Sequence, residues 1–445
     1  MARGAGLTSK LCLVACFALL FCPTLPLTAY ADEGGTYRGG KWDALLPGID
    51  YLEGKVVVTF DSGVSRNQAQ AGIDALGWGD PHALWEAGGA LHATLAIPEG
   101  MSLDQVESEV RERLSITAFQ PDYLYFPQPA FTWSRVGGKN ALWTMAMISR
   151  NTAGFTETSG TVVLATMEGY WDALSASSLA GLEEAPVVLT DKNELSFQAR
   201  AELARLQPTK VLIMGGAAAI SQKVEAEVRA CIDGQIDRVD GANAEETARK
   251  AAELSARSGR AIVATAGSFH DALSIAPYAY ATKSPIFLTN SQGRLTPESL
   301  SVMDRLGIAE VIVVGGDAAV PAEVESQLGA RFAKRLWGAT AVDTSLEIAK
   351  WEIEEGMTVR PMGLATAEDW YDALAAGAYC GKNNSILILG APGRTQAIDR
   401  IIADHKDEAA GYVFGGPAAV PDEVASHLGP VDKQSIFKPG APPAA

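Results

Sequence analysis

One seven-residue phrase occurs three times at a fixed period: GGAAAIS from Gly215, GGDAAVP from Gly315 and GGPAAVP from Gly415. A period of 100 residues, kept twice, restricts the chain to one structural unit copied in tandem. The phrase ends a longer unit. Each copy opens on an arginine-to-glycine turn, RVGGKNALWTMA from Arg135, RVDGANAEETAR from Arg238 and RLWGATAVDTSL from Arg335, with Thr144, Thr247 and Thr344 in register. A strand then runs into an acid-led helix that carries Asp172, Asp271 or Asp372.

Short apolar runs follow, APVVLTD, SPIFLTN and NSILILG, and then KVLIMGG, EVIVVGG and GYVFGG. Runs of this length between turn signals read as strands buried on both faces. The stretches 194–207 and 297–307 between them carry apolar residues at helical spacing. Strands alternating with helices imply right-handed crossovers and a parallel sheet. The expected fold class is α/β, with three tandem small three-layer α/β repeats at 134–234, 235–333 and 334–430.

The glycine pairs Gly215/Gly216, Gly315/Gly316 and Gly415/Gly416 supply the backbone freedom of a sharp strand-to-helix turn. The same turn at a helix N-terminus also presents N–H groups to an anion, but neither a Walker lysine nor a G-x-G-x-x-G fingerprint accompanies it. The aspartates at the helix starts are expected to cap free N–H groups. His270 precedes one of them, yet Trp171 and Tyr371 stand in its place in the other copies, so no base recurs with the carboxylate. His82, His92, His405 and His427 have no metal spacing, and no nucleophile elbow is present. No catalytic residue, metal or cofactor is expected.

The chain begins with Arg3 and Lys10 ahead of an apolar run at 11–21, and AYA at 29–31 supplies small residues for cleavage. Residues 1–31 read as a secretory signal and 32–50 as a linker. No later segment is apolar enough to span a membrane. Cys231 and Cys380 are the cysteines left after the signal, too few for a disulfide framework. A formal net charge of −17 disfavours a nucleic-acid partner and any general basic tether, so an anionic ligand needs a local site.

Residues 51–129 follow a different pattern. Strands at 54–60 and 90–100, helices at 65–77 and 102–114, a short strand near PHALWEA and a closing stretch at 115–129 give the order βαββαβ. That order predicts a ferredoxin-like α+β sandwich. Residues 431–445 form a tail.

The R-x-x-G opening with its threonine, the [FWY]-x-D-A-L helix start, the P-[IV]-x-L-T strand and the [IV]-x-G-G-x-A-A-[VI] ending, in that order, resemble the cell wall-binding repeat 2 family of Gram-positive surface proteins. The resemblance covers roughly residues 134–430. It implies non-catalytic attachment to an anionic secondary wall polymer by three repeats grouped about a pseudo-threefold axis, in a secreted protein of the cell surface. It also ties polymer contact to the strand end at Pro186, Leu189 and Thr190, matched by Pro285, Leu288 and Thr289; the third copy has SILIL without the proline. Arg135, Arg238 and Arg335, with Lys283 and Lys382, are the cations available to such a polymer, or else ordinary surface and turn residues. Residues 51–129, ending in QPDY at 120–123, resemble the propeptide domain of subtilisin-like proteases, although no protease motif follows. That resemblance implies either a module acting in trans on a subtilisin-like protease, as inhibitor or folding aid, or a spacer. The competing class is a wall hydrolase built on the α/β repeats, against which the lack of recurring acid/base pairs counts.

Overall fold

The computed structural model describes residues 51–432 except positions 80, 82, 88–89, 124–132, 152–153, 156–159 and 256–257. The expected signal, the linker and all but the start of the tail lie outside the described residues. The first unit contains β1 (Tyr51–Phe60), α1 (Arg66–Leu76), β2 (Ala83–Ala87), β3 (Ala90–Ala96), α2 (Leu103–Arg113) and β4 (Ile116–Tyr123). Its sheet has the order β2-β3-β1-β4 with every neighbouring pair antiparallel, as the βαββαβ reading requires. Both helices start on a capping box, Ser65 with Gln68 and Ser102 with Gln105. Alternation along β1 buries Val56, Val58 and Phe60 against Ile73, Val106 and Val110 in a core separate from the rest.

The repeats begin with β5 (Trp133–Val136) and α3 (Ala141–Arg150). A first set runs β6 (Thr161–Thr166), α4 (Ala176–Leu182), β7 (Val187–Thr190), α5 (Phe197–Leu206), β8 (Lys210–Met214), α6 (Gln222–Cys231) and β9 (Gln235–Val239). Helix α7 (Ala244–Ser255) leads to β10 (Arg260–Thr265), α8 (His270–Ser274), α9 (Ala276–Thr282), β11 (Ile286–Thr289), α10 (Pro297–Arg305), β12 (Glu310–Val314), α11 (Glu323–Leu328) and β13 (Phe332–Leu336). Helix α12 (Ala341–Glu354) leads to β14 (Thr358–Thr366), α13 (Tyr371–Lys382), β15 (Ser385–Gly390), α14 (Gln396–Asp404), β16 (Gly411–Phe414), α15 (Asp422–Ala425) and β17 (Val431–Asp432).

These strands make three parallel sheets with matching orders: β7-β6-β8-β9, β11-β10-β12-β13 and β15-β14-β16-β5-β17. The sheets are out of phase with the sequence period. The strand that opens each sequence repeat closes the sheet before it, so β9 completes the first sheet and β13 the second. The third sheet is completed by β5, from the other end of the repeat region, with Trp133 beside Gly411 and Val136 beside Phe414. Each helix after such a strand, α3, α7 or α12, then packs on the edge strand of the next sheet, β7, β11 or β15 respectively. The repeats therefore form a closed ring.

Inside the ring, α4, α9 and α13 pack against one another. The close approach depends on glycine at two places. A Cβ on Gly181 would fall within the carbonyl group of Tyr280, and one on Gly381 within the Tyr280 side chain. Tyr280 occupies the position that is glycine in the other two copies, so one bulky residue fills the space that two small ones leave. Cys231 and Cys380 are buried thiols, not joined in a disulfide. Among the described residues no helix is long and apolar enough to cross a membrane.

Candidate functional site

The recurring arginines lie inside the fold. Arg238 donates through Nη1 to the carbonyls of Gly215 (2.8 Å) and Ile220 (3.0 Å) and pairs with Glu225. Arg335 repeats this with Gly315 and Val320, both at 2.8 Å, and Glu325. Arg135 does so from the far end of the repeat region, to Gly415 (2.9 Å), Val420 (2.8 Å) and Asp422 (3.2 Å), with its side chain 1 % exposed. In each copy Nη1 serves both carbonyls of the turn while another nitrogen of the planar guanidinium meets the carboxylate. Of the two readings of these arginines, polymer contact or turn partner, the geometry supports the turn partner. Lys382 is also engaged, on the carbonyl of Gly154 (2.7 Å) and over the ring of Phe155, while Lys283 ends α9 with φ +58°.

The first glycine of each pair carries the unusual backbone: φ is +89° at Gly215, +107° at Gly315 and +119° at Gly415. A Cβ on Gly315 or Gly415 would meet the carboxylate of Asp271 or Asp372 at 2.6 Å, and one on Gly215 would come still closer to Asp172. Gly216, Gly316 and Gly416 have more room. The turn does not lead directly into a helix. Residues 217–219 make a further turn, and α6 starts only at Gln222 behind its cap Ser221. The anion reading of the pair lacks the helix N-terminus it requires.

The aspartates are also corrected. Asp172 makes no capping bond, and Asp271 and Asp372 lie inside the first turn of their helices, after Phe269 and Trp370. Each carboxylate instead lies beneath the glycine turn. Burial pushes Asp271 up to about 6 and Asp372 up to about 7, the latter against a hydrogen bond from Thr144, and burial raises Asp172 against one from Thr247. The same threonines explain the R-x-x-G opening. Thr144, Thr247 and Thr344 accept the N–H of Gly138 (3.1 Å), Gly241 (3.0 Å) and Gly338 (3.0 Å), where a Cβ would strike the following helix.

The strand-end residues assigned to polymer contact are core. Pro186, Leu189, Thr190, Pro285, Leu288 and Thr289 are all buried. Thr190 accepts the Ser196 N–H (2.9 Å) and donates to the Glu194 carbonyl (3.2 Å), which fixes the loop after β7. In the third copy Gly390 takes the threonine's place, packed among Ile398, Val424 and Leu364. These six side chains shape the strand ends and are not exposed to a ligand.

What the three copies bring together at the strand C-termini is aromatic. Tyr170, Phe269 and Trp370, one from each repeat, touch pairwise with ring centroids 5.4–5.8 Å apart. Three equivalent residues in mutual contact mark the pseudo-threefold axis. The next residue in each copy flanks this knot, Trp171 against Tyr170, His270 against Phe269 and Tyr371 against Trp370. His270 is structural: Nε2 meets the Ala367 carbonyl across the repeat boundary (2.9 Å) and Nδ1 meets Ser268 Oγ (2.7 Å). A carbonyl only accepts, so Nε2 carries the proton, and burial holds the pKa of the ring below its ordinary value. The signal for this cluster stands in the sequence as the aromatic of [FWY]-x-D-A-L, which sequence reasoning used only as a mark of the repeat.

Three stretches, 135–225, 238–325 and 335–425, match the family described as cell wall binding domain 2, CWB2. The chain belongs to the CWB2 family. Membership places it among proteins of the cell wall and cell surface, and the family's domains bind cell wall polymers. Among curated proteins it is similar to the N-acetylmuramoyl-L-alanine amidase LytC of Bacillus subtilis (strain 168), 26% identical over 68% of this chain and 59% of the relative. It is also similar to an amidase enhancer of the same organism, 28% identical over 60% of this chain and 36% of the relative. The chain thus spans less than two thirds of either relative. Among solved structures it resembles Cwp6 from Clostridium difficile, with a TM-score of 0.60 at 17% identity, covering 85% of this chain and 64% of that one. Cwp8 from Clostridium difficile gives 0.57 at 19%, covering 67% and 51%. At these identities the structures show the shared fold.

Proposed function

We propose that this chain is a non-enzymatic, exported surface protein held non-covalently on the Gram-positive wall by its CWB2 ring, through a secondary wall polymer of the anionic kind. The observation that carries this reading is the closed ring of three family-matched repeats with one shared face. Three packed repeats offer a repetitive polymer one continuous face, which suits attachment better than turnover. The recurring carboxylates occupy buried turns beside hydroxyls, without a base, which counts against the hydrolase reading. Purified walls should retain the full chain, and walls stripped of their secondary polymer by acid should retain several-fold less. Equal retention by stripped walls, or lysis of walls by the chain, would remove the proposal.

For the module at 51–129 we propose a role in trans, as inhibitor or folding aid of a subtilisin-like protease, with a spacer as the alternative. One face of its sheet carries Val57, Thr59, Trp85 and His92, partly exposed and not covered by α1 or α2, with Trp85 stacked on His92. Such a face suits a protein partner. The full chain in excess should slow a subtilisin-type protease on a small peptide substrate and delay the protease's self-digestion. Unchanged rates at high excess leave the module as a spacer.

A further inference from the structure

The flanking aromatics around the pseudo-threefold axis are not equivalent. His270 is spent on the Ala367 carbonyl and Ser268, and Tyr371 is only partly exposed. Trp171 is 49 % exposed, one of four large apolar side chains at this level among the described residues. It is nonetheless held in place. Its ring lies over Gly169, where a Cβ would strike it, and one side rests on Tyr170 at a centroid distance of 4.8 Å. The positions equivalent to Gly169 are Ser268 and Asp369, so only the first repeat leaves space for a ring lying flat on the backbone. Nothing in the ring's own packing needs an indole with half its surface in water, and a fixed, exposed aromatic face is a stacking platform.

The surroundings select what stacks there. Glu168 opens the same loop and accepts the N–H of Lys192. It lies close enough to Asp191 to raise that carboxyl, after burial and together with Glu194. Carboxylates beside an aromatic face accept hydrogen bonds from hydroxyl or amino groups and repel phosphate. The recurring arginines are latched inside the glycine turns.

We propose that Trp171, seated on Gly169 and Tyr170 in the loop that Glu168 opens, is a saccharide-binding platform that takes an uncharged or amino-bearing pyranose of the wall polymer, with its apolar ring face on the indole and its hydroxyls toward the loop's carboxylates. This deepens the attachment reading and rests on it: the polymer is recognised here by its sugar and not by its phosphate.

The test uses the full chain and two wall polysaccharide fractions of similar length, one phosphate-free and one phosphate-bearing, with binding measured by calorimetry. The chain should bind the phosphate-free fraction with little change between low and high salt. Trp171→Ala should weaken binding about tenfold, and Trp171→Phe, which keeps a ring, within about threefold. An unchanged melting temperature shows that Trp171→Ala is folded, as a half-exposed site should be. Equal affinity for wild type and Trp171→Ala overturns the platform while wall retention leaves attachment standing. Binding restricted to the phosphate-bearing fraction overturns the assigned ligand. Failure of the wild type to bind either fraction or whole walls removes the attachment reading itself.

Discussion

Replacing Arg135 with methionine is expected to cost about 3–5 kcal/mol, more than the same change at Arg238 or Arg335. Its guanidinium is the most buried of the three and joins β5 to Gly415, Val420 and Asp422, groups contributed by the opposite end of the repeat region. Methionine fills the volume but leaves two carbonyls and a carboxylate without their donor. Arg238 and Arg335 close a sheet whose strands are near neighbours in the chain, so their loss leaves the ring connected. Arg135→Lys should recover little, because a single ammonium on a shorter side chain cannot serve both the two carbonyls, which accept from Nη1, and the Asp422 carboxylate, which Nη2 meets. Urea denaturation of the three methionine variants measures the order, and limited proteolysis should show the first new cuts of Arg135→Met around β16 and β17. If the Arg135→Met midpoint equals that of wild type, the closing strand is not what holds the third sheet.

Asp372→Asn is expected to stabilise the chain by about 2–4 kcal/mol at pH 8 and to have almost no effect near pH 4. In the folded protein burial raises Asp372 to about 7 from an ordinary 3.8, with Asp369 adding to the rise and Thr144 opposing it. Between those values the folded chain keeps a proton that the unfolded chain has released. The stability this group contributes is complete below about pH 4 and declines as the pH rises through 7, where the buried carboxylate must ionise. Asparagine does not ionise and avoids that loss. Asp271, raised to about 6, should behave in the same direction over a narrower window. Melting temperatures of wild type and both asparagine variants from pH 4 to pH 8 measure this. A gap that does not widen with pH would mean that these carboxylates are ionised in the folded state.

Much of the architecture was legible in the sequence because it is local. The apolar runs that became β7, β11 and β15, the helical spacing of α5 and α10, and the φ > 0 demand at Gly215, Gly315 and Gly415 each depend on a few neighbouring residues. The threefold period identified the unit. The candidate site was less legible. A surface cation and a latch arginine are the same letter in a sequence, and Arg135 finds its acceptors about 280 positions away. Leu189 and Thr190 at a strand end do not reveal whether that end is covered by the next helix.

The sequence by itself determined the repeated α/β unit, its parallel strands and the glycine that each turn requires, since steric limits and hydrophobic periodicity act within a few residues. Only the tertiary structure decided the rest: that β5 closes the third sheet, that the arginines and aspartates face inward, and that one ring from each repeat meets on an axis with Trp171 left exposed. Those outcomes depend on which distant groups share a dehydrated space, where each buried donor must find an acceptor, and that pairing is set by how the three units close on one another.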